Sequence, residues 1–223
     1  MVVRSLDAKR DSFHPNEDDE EILEPKVPYL SAIGALLYLA QCTRPDISFV
    51  VNFVVKYSNA PTCKHWTGVK DIFCYLKGTT DLGLFYPYRS SSVAATPLSR
   101  VDSRFVGYAD IRYLFDPHKT RSQIGYVFTV GGTAISWRST KETLVATLSN
   151  HAEILTIHEV TRECFWLRVV VDHIRSSCDL YPIVDVMTMI YEDNVTCIEQ
   201  LKKGYIKGDN TKHIASKFFF SHQ

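Results

Sequence analysis

The stretch Arg104-Phe105-Val106-Gly107-Tyr108-Ala109-Asp110 constrains the fold more than any other. Apolar and small residues run up to a single carboxylate, which predicts a strand ending in Asp110 and then a polar turn. Such a strand presents its carboxylate at the carboxyl edge of a sheet, a common place for a metal site in α/β folds. Two later acids are placed to join it. Glu153 lies inside a long amphipathic helical pattern, and Asp193 ends the run Val186-Met187-Thr188-Met189-Ile190-Tyr191-Glu192-Asp193. The separations are about 40 residues each, room for a secondary-structure unit between each pair. Three carboxylates from two strand ends and a helix form a set suited to Mg²⁺ or Mn²⁺, which prefer oxygen ligands. Taken singly, each has a plainer reading: a turn or cap residue for a strand-end Asp, a solvated side chain for a helical Glu.

The bulk composition narrows the class. Hydrophobic residues make up 45% of the 223 and aromatics 12%, which supplies a core and argues against disorder. Lys plus Arg and Asp plus Glu are 25 each, so the net charge is zero. A free-standing nucleic-acid binder is usually basic, so any nucleic acid must be held by a local patch or by borrowed contacts. No run of 18 apolar residues occurs, and no membrane span is expected. The start, Met1-Val2-Val3-Arg4-Ser5, lacks the apolar stretch of a secretory signal, which predicts an intracellular protein that is not secreted. The cysteines Cys42, Cys63, Cys74, Cys164, Cys178 and Cys197 form no C-x-x-C and no zinc spacing. Most fall in apolar patterns, which predicts buried free thiols.

The pattern divides the chain into three parts. Residues 1–29 read as irregular, with the charge run Asn16-Glu17-Asp18-Asp19-Glu20-Glu21 and breaks at Pro15, Pro25 and Pro28. Residues 30–98 form a small helical segment. Ser31 is placed to cap a first helix carrying Ile33, Leu36, Leu37 and Ala40. Pro45 opens a second with Ile47, Val50, Val51 and Val54, though the β-branched run from Phe49 to Val55 also suits a strand. A third follows Pro61, carries Val69, Ile72, Phe73 and Leu76, and stops at Gly78. The run Leu82-Gly83-Leu84-Phe85-Tyr86 then predicts a strand. A Ser-rich stretch over 88–103 reads as a linker, with a boundary near Leu98.

Residues 99–223 have a clear order. After the first strand comes Gln123 to Val130, a tight hairpin at Gly131-Gly132, and a return over Thr133 to Arg138. A long helix spans about 149–175, striped by Ile157, Val160, Cys164, Leu167 and Val171. A strand over 186–192, parallel to the first, and a short helix over 195–203 complete an α/β plan with a mixed sheet. Trp137 and Trp166 read as core, and His151 and His158 as helix surface.

These segments carry a resemblance. Gly107-Tyr108-Ala109-Asp110, Ser122-Gln123-Ile124-Gly125-Tyr126-Val127-Phe128, Ala134-Ile135-Ser136-Trp137, Ala152-Glu153, Trp166-Leu167, Glu192-Asp193-Asn194 and Thr211-Lys212-His213-Ile214 match in order and spacing. Together they resemble the ribonuclease H domain of copia-type retrotransposon Pol polyproteins, in plant-like form. Tyr29-Leu30-Ser31-Ala32-Ile33-Gly34, Thr43-Arg44-Pro45-Asp46, His65-Trp66 and Tyr75-Leu76-Lys77-Gly78-Thr79 resemble the segment joining reverse transcriptase to ribonuclease H there. The implied fold is a ribonuclease H-like mixed sheet with flanking helices, preceded by a small helical connection segment. The implied reaction is cutting of RNA in an RNA–DNA hybrid by two-metal hydrolysis. The metal-binding and catalytic acids would be Asp110, Glu153 and Asp193, with Mg²⁺ or Mn²⁺ as cofactor. The late basic residues Lys202, Lys203, Lys207, Lys212 and Lys217 are placed to follow phosphates, and His213 stands either beside the site or on plain surface. Partners implied are the hybrid and other segments of a polyprotein.

The sequence also departs from the family. The fourth metal carboxylate, on a helix after one more strand, would fall beyond Gln223. Ala215 stands where an acid often follows the His-Ile pair, and Ile111-Arg112-Tyr113 replaces a second acid and a Trp. The paired aspartates of a polymerase are absent, which excludes that reaction for this chain. The rival to an incomplete nuclease is a non-catalytic retroelement remnant that binds nucleic acid or another polyprotein segment.

Overall fold

Tyr29 anchors the N-terminal helices. It is buried, and its hydroxyl donates to the Val54 carbonyl at 2.9 Å. The computed structural model describes residues 22–86, 105–116, 121–142, 149–179 and 188–204, with the side chains of 112–116 left aside. In it α1 (Tyr29–Cys42), a 3-10 turn (Pro45–Ile47), α2 (Ser48–Val55) and α3 (Cys63–Gly78) pack through Ile33, Leu36, Ala40, Ile47, Val51, Val54, Val69 and Ile72. The predicted i, i+3, i+4, i+7 faces are the faces buried here.

The details correct the sequence reading at several points. Because Tyr29 is drawn into the core, α1 starts three residues early, with Pro28 rather than Ser31 at its N-cap. The Phe49–Val55 run takes the helical option, since Val51 and Val54 share the buried side of α2. The predicted strand at 82–86 forms no ladder. It lies beside the sheet through side chains instead: Thr133 Oγ1 donates to the Phe85 carbonyl, and Tyr86 donates to the Ala134 carbonyl at 2.9 Å. Near the start, Leu23 N–H donates to Pro61 O at 2.8 Å, and Ile22 bridges to Thr62. The acidic run 16–21 and the boundary near Leu98 lie outside the described residues.

The second unit has a mixed four-stranded sheet in the order β3-β2-β1-β4, from β1 (Phe105–Asp116), β2 (Arg121–Val130), β3 (Thr133–Lys141) and β4 (Met189–Tyr191). β1 pairs antiparallel with β2 and parallel with β4, as the element order requires. Gly131 and Gly132 both have positive φ, 58° and 82°, which a two-residue hairpin matched to the strand twist demands. α4 (Ser149–Ser177) lies across one face of the sheet. Ile154, Ile157, Val160, Cys164 and Leu167 pack there on Ala109, Tyr126 and Phe128. α5 (Val195–Lys203) adds Cys197 to the same core. The result is an α/β architecture in which two apolar clusters, among the described residues, are separately filled.

The structure overturns three burial expectations. Trp166 is 56% exposed, because the stripe 160, 164, 167 turns it away from the sheet. His151 is buried, since every residue from 151 to 157 is enclosed at the start of α4. Of the free thiols, Cys164 and Cys197 are buried, whereas Cys42, Cys63, Cys74 and Cys178 are exposed.

Candidate metal centre

Strand alternation builds the site. In β1, Gly107 and Ala109 face α4, while Tyr108 and Asp110 point to the opposite, open side. The parallel register sets Gly107 beside Ile190 and Tyr108 beside Tyr191. Ile190 packs on the core under α4, and Tyr108 and Tyr191 stack on the open face, ring centres 5.4 Å apart. Two residues beyond each pair come the acids. Glu192 and Asp193 stand just past the end of β4. β4 ends at Tyr191, so the chain turns here into α5, capped by the Asn194 side chain accepting from Cys197 N–H at 3.0 Å.

Glu153 meets these acids from α4. One carboxylate oxygen each from Glu153, Glu192 and Asp193 lies within 4.8 Å of the others. Glu153 is 6% exposed, and its Oε2 accepts no hydrogen bond. Glu192 Oε1 accepts from Asn194 N–H at 3.2 Å, while its Oε2 is buried without a partner. Burial, reinforced by the charges of Glu192 and Asp193, pushes the Glu153 carboxyl up to about 8. Burial and the Asp193 charge also raise Glu192. The Cys197 thiol rises to about 12, through burial and then the two glutamates. Three converging acids, two of them with an oxygen that has no hydrogen-bond partner, are of the kind that can hold a hard divalent cation. All-oxygen donors of this kind are those that Mg²⁺ or Mn²⁺ would take.

Of the acids singled out in the sequence, Glu153 and Asp193 come together. Asp110 lies outside that group, exposed on β1. The predicted strand end at Asp110 is replaced by a strand running on to Asp116, because Ile111 pairs with Ile124 and is buried. Sequence reasoning passed over Glu192. Its one signal was adjacency to Asp193 at the close of the apolar run. Lys202 and Lys203 are exposed at the end of α5, and Lys202 Nζ lies 3.8 Å from Glu199. Lys207, Lys212, His213, Lys217 and Ala215 lie outside the described residues, as does the side chain of Arg112.

Comparison with known proteins gives several relatives. The chain is 32% identical over 204 residues to the retrovirus-related Pol polyprotein from transposon TNT 1-94 of Nicotiana tabacum, which covers 92% of the chain and 14% of that protein. It is 30% identical over 193 residues to the corresponding polyprotein from transposon RE2 of Arabidopsis thaliana, covering 86% of the chain and 12% of that protein. A third similarity, 35% over 143 residues, is to secreted RxLR effector protein 161 of Plasmopara viticola, and spans 64% of the chain and 93% of that protein. The chain thus spans a small part of the two polyproteins and nearly all of the third relative. No family model matches the chain. No solved structure matches it.

Proposed function

The chain belongs to the retrovirus-related Pol polyproteins of copia-type transposons, and on that footing we propose that residues 105–204 are part of a ribonuclease H-like domain that cuts RNA in an RNA–DNA hybrid. The helices of residues 29–78 then correspond to the connection from reverse transcriptase, and the remaining partners are other segments of a polyprotein. One observation carries this reading: Glu153 and Asp193, from a helix and a strand end, converge beside a buried oxygen with no donor.

Glu153 and Asp193 are the residues to hold one cation, and Asp110 on the neighbouring strand is the acid left for a second. Bound divalent cations supply an activated water and stabilise the leaving oxygen of an in-line displacement. The chain's own part is to fix those carboxylates on rigid elements. α4 is locked against the sheet by Ile154, Ile157 and Val160, so Glu153 keeps its position. Lys202 and Lys203 offer charge to the phosphates, and the RNA 2′-OH distinguishes the strand to be cut.

The test is cleavage of a labelled hybrid with Mg²⁺ and then Mn²⁺. Metal-dependent cutting of the RNA strand is expected, falling at least about tenfold in Asp193→Asn, since loss of even outer-shell partners costs about that much. A folded chain that binds hybrid and leaves it intact would support the non-catalytic remnant. The exposed placement of Asp110 outside the acid group favours that second reading.

A further inference from the structure

We propose that α4 pairs with α4 of a second copy of this chain, antiparallel about a two-fold axis, through the side turned away from the sheet. Phe165 is 67% exposed, Trp166 56% and Val169 53%, all in the half of α4 that follows its buried start. The core stripe Val160, Cys164 and Leu167 lies on the opposite side of the helix, against the sheet. Along the outer side, His158, Arg162, Phe165, Val169, Asp172 and Ser176 are spaced alternately by four and three residues. That is the repeat which keeps one seam of a helix facing a partner helix. The seam has two apolar positions at its middle and Trp166 on its flank, the kind of exposed patch that marks a contact surface.

Charge says what fits the seam. With two such helices set antiparallel about an axis at the level of Leu167, Phe165 of one copy meets Val169 of the other, and Arg162 meets Asp172. Each contact occurs twice, as an isologous interface requires. The apolar layers sit at the centre and the opposed charges at both ends. Arg162 and Asp172 are both exposed. Arg162 Nη1 lies 3.4 Å from Glu159 Oε2 on its own helix, but its side chain stays 59% exposed, and a pair of this kind holds it weakly. A parallel pair would set Arg162 on Arg162 and Asp172 on Asp172, so the charges also choose the direction. A partner of one sign would match only one end of the seam. The contact is small. Aromatic side chains present about 150–250 Å² each, so Phe165 and Trp166 offer roughly 200–300 Å² per copy, short of the about 800 Å² per partner of a standard interface. The association is therefore weak, with a dissociation constant no tighter than about 1 μM.

Sedimentation velocity of the full chain, from about 1 μM to about 500 μM, reads the association directly. A monomer–dimer equilibrium is expected. Arg162→Glu and Asp172→Arg, made singly, each place like charges across the axis at both ends, and each is expected to raise the dissociation constant at least about tenfold. The two together restore opposite charges and are expected to return it to within about threefold of the parent. Within one helix these positions stand about 15 Å apart, so such a rescue comes from pairing between copies. Phe165→Ser, folded by circular dichroism, is expected to remain monomeric throughout. A parent that stays monomeric at the highest concentration overturns the proposal, and a lowered melting temperature for Phe165→Ser in that case assigns the face to another segment of the same chain. A dimer indifferent to the single reversals, or not restored by the double exchange, also overturns it. None of these readouts depends on metal or on cleavage.

Discussion

At the scale of single residues the tension lies in Glu153. Its folded carboxyl titrates near 8, far above the ordinary value of 4.5, so the folded chain holds a proton that the unfolded chain releases. The stabilising contribution of that bound proton is complete below about pH 4.5 and is lost as pH rises through about 8. The metal-free chain is therefore expected to melt at a lower temperature at pH 8.5 than at pH 5.5, by this group's share. Excess Mg²⁺ or Mn²⁺ is expected to shrink or reverse the difference, because a cation favours the ionised form. Melting curves with chelator and with metal at the two pH values check it; an unchanged difference would count against a metal role for Glu153. A second residue-scale constraint is Gly107. A Cβ there would stand 2.8 Å from Phe128 Cε1, and Phe128 is fully buried. Gly107→Ala is expected to destabilise by about 1–3 kcal/mol, the usual cost of overpacking a filled core, measurable by denaturant titration.

At the scale of elements, the helical unit is held by a polar clasp joining two motifs that the sequence shows only as separate marks. Arg44 grips Asp46 through two hydrogen bonds, at 2.9 and 2.7 Å, and reaches Thr79 Oγ1 at 2.8 Å and its carbonyl at 3.1 Å. Tyr75 donates to the same Asp46 at 3.0 Å. The clasp fastens the turn before α2 to the end of α3, and the Arg44 hydrogen bonds hold Asp46 below the usual carboxylate range. Arg44→Lys keeps the charge and loses the planar fork. It is expected to cost about 2 kcal/mol, the scale of hydrogen bonds to charged groups, whereas Lys70→Arg on exposed α3 surface should cost almost nothing. Equal effects would remove the clasp as an explanation. The start of α3 is secured in a related way, with Thr62 N–H donating to His65 Nδ1 at 2.9 Å in a reciprocal cap.

Across the whole molecule the two units touch along β3. The Trp137 indole N–H donates to the Ala40 carbonyl at 2.6 Å, from the edge strand to the end of α1, and residues 85 and 86 lie on the same edge. Tyr86 thereby satisfies one carbonyl of an edge that would otherwise present unpaired backbone. Trp137→Phe retains the ring bulk and removes the donor. It is expected to cost about 1–2 kcal/mol and to separate the melting of the helical unit from that of the sheet; a single unchanged transition would show that the contact does not couple them. Much of this molecule is legible locally. Apolar spacing marks α1, α2, α3 and α4, Gly131-Gly132 marks the hairpin, and the order of elements gives the mixed sheet, because helix and strand periods and turn conformations are properties of short stretches. The sequence by itself likewise brought Glu153 and Asp193 forward as acids. Only the tertiary structure decided that β1 runs past Asp110, that Asp110 faces outward, and that Glu192 turns inward. The physical reason is that a strand ends where its partner stops pairing with it, and a side chain's face follows from which neighbour covers the sheet. Both are set by residues far along the chain, by Ile124 opposite Ile111 and by α4 over Ala109 and Ile190.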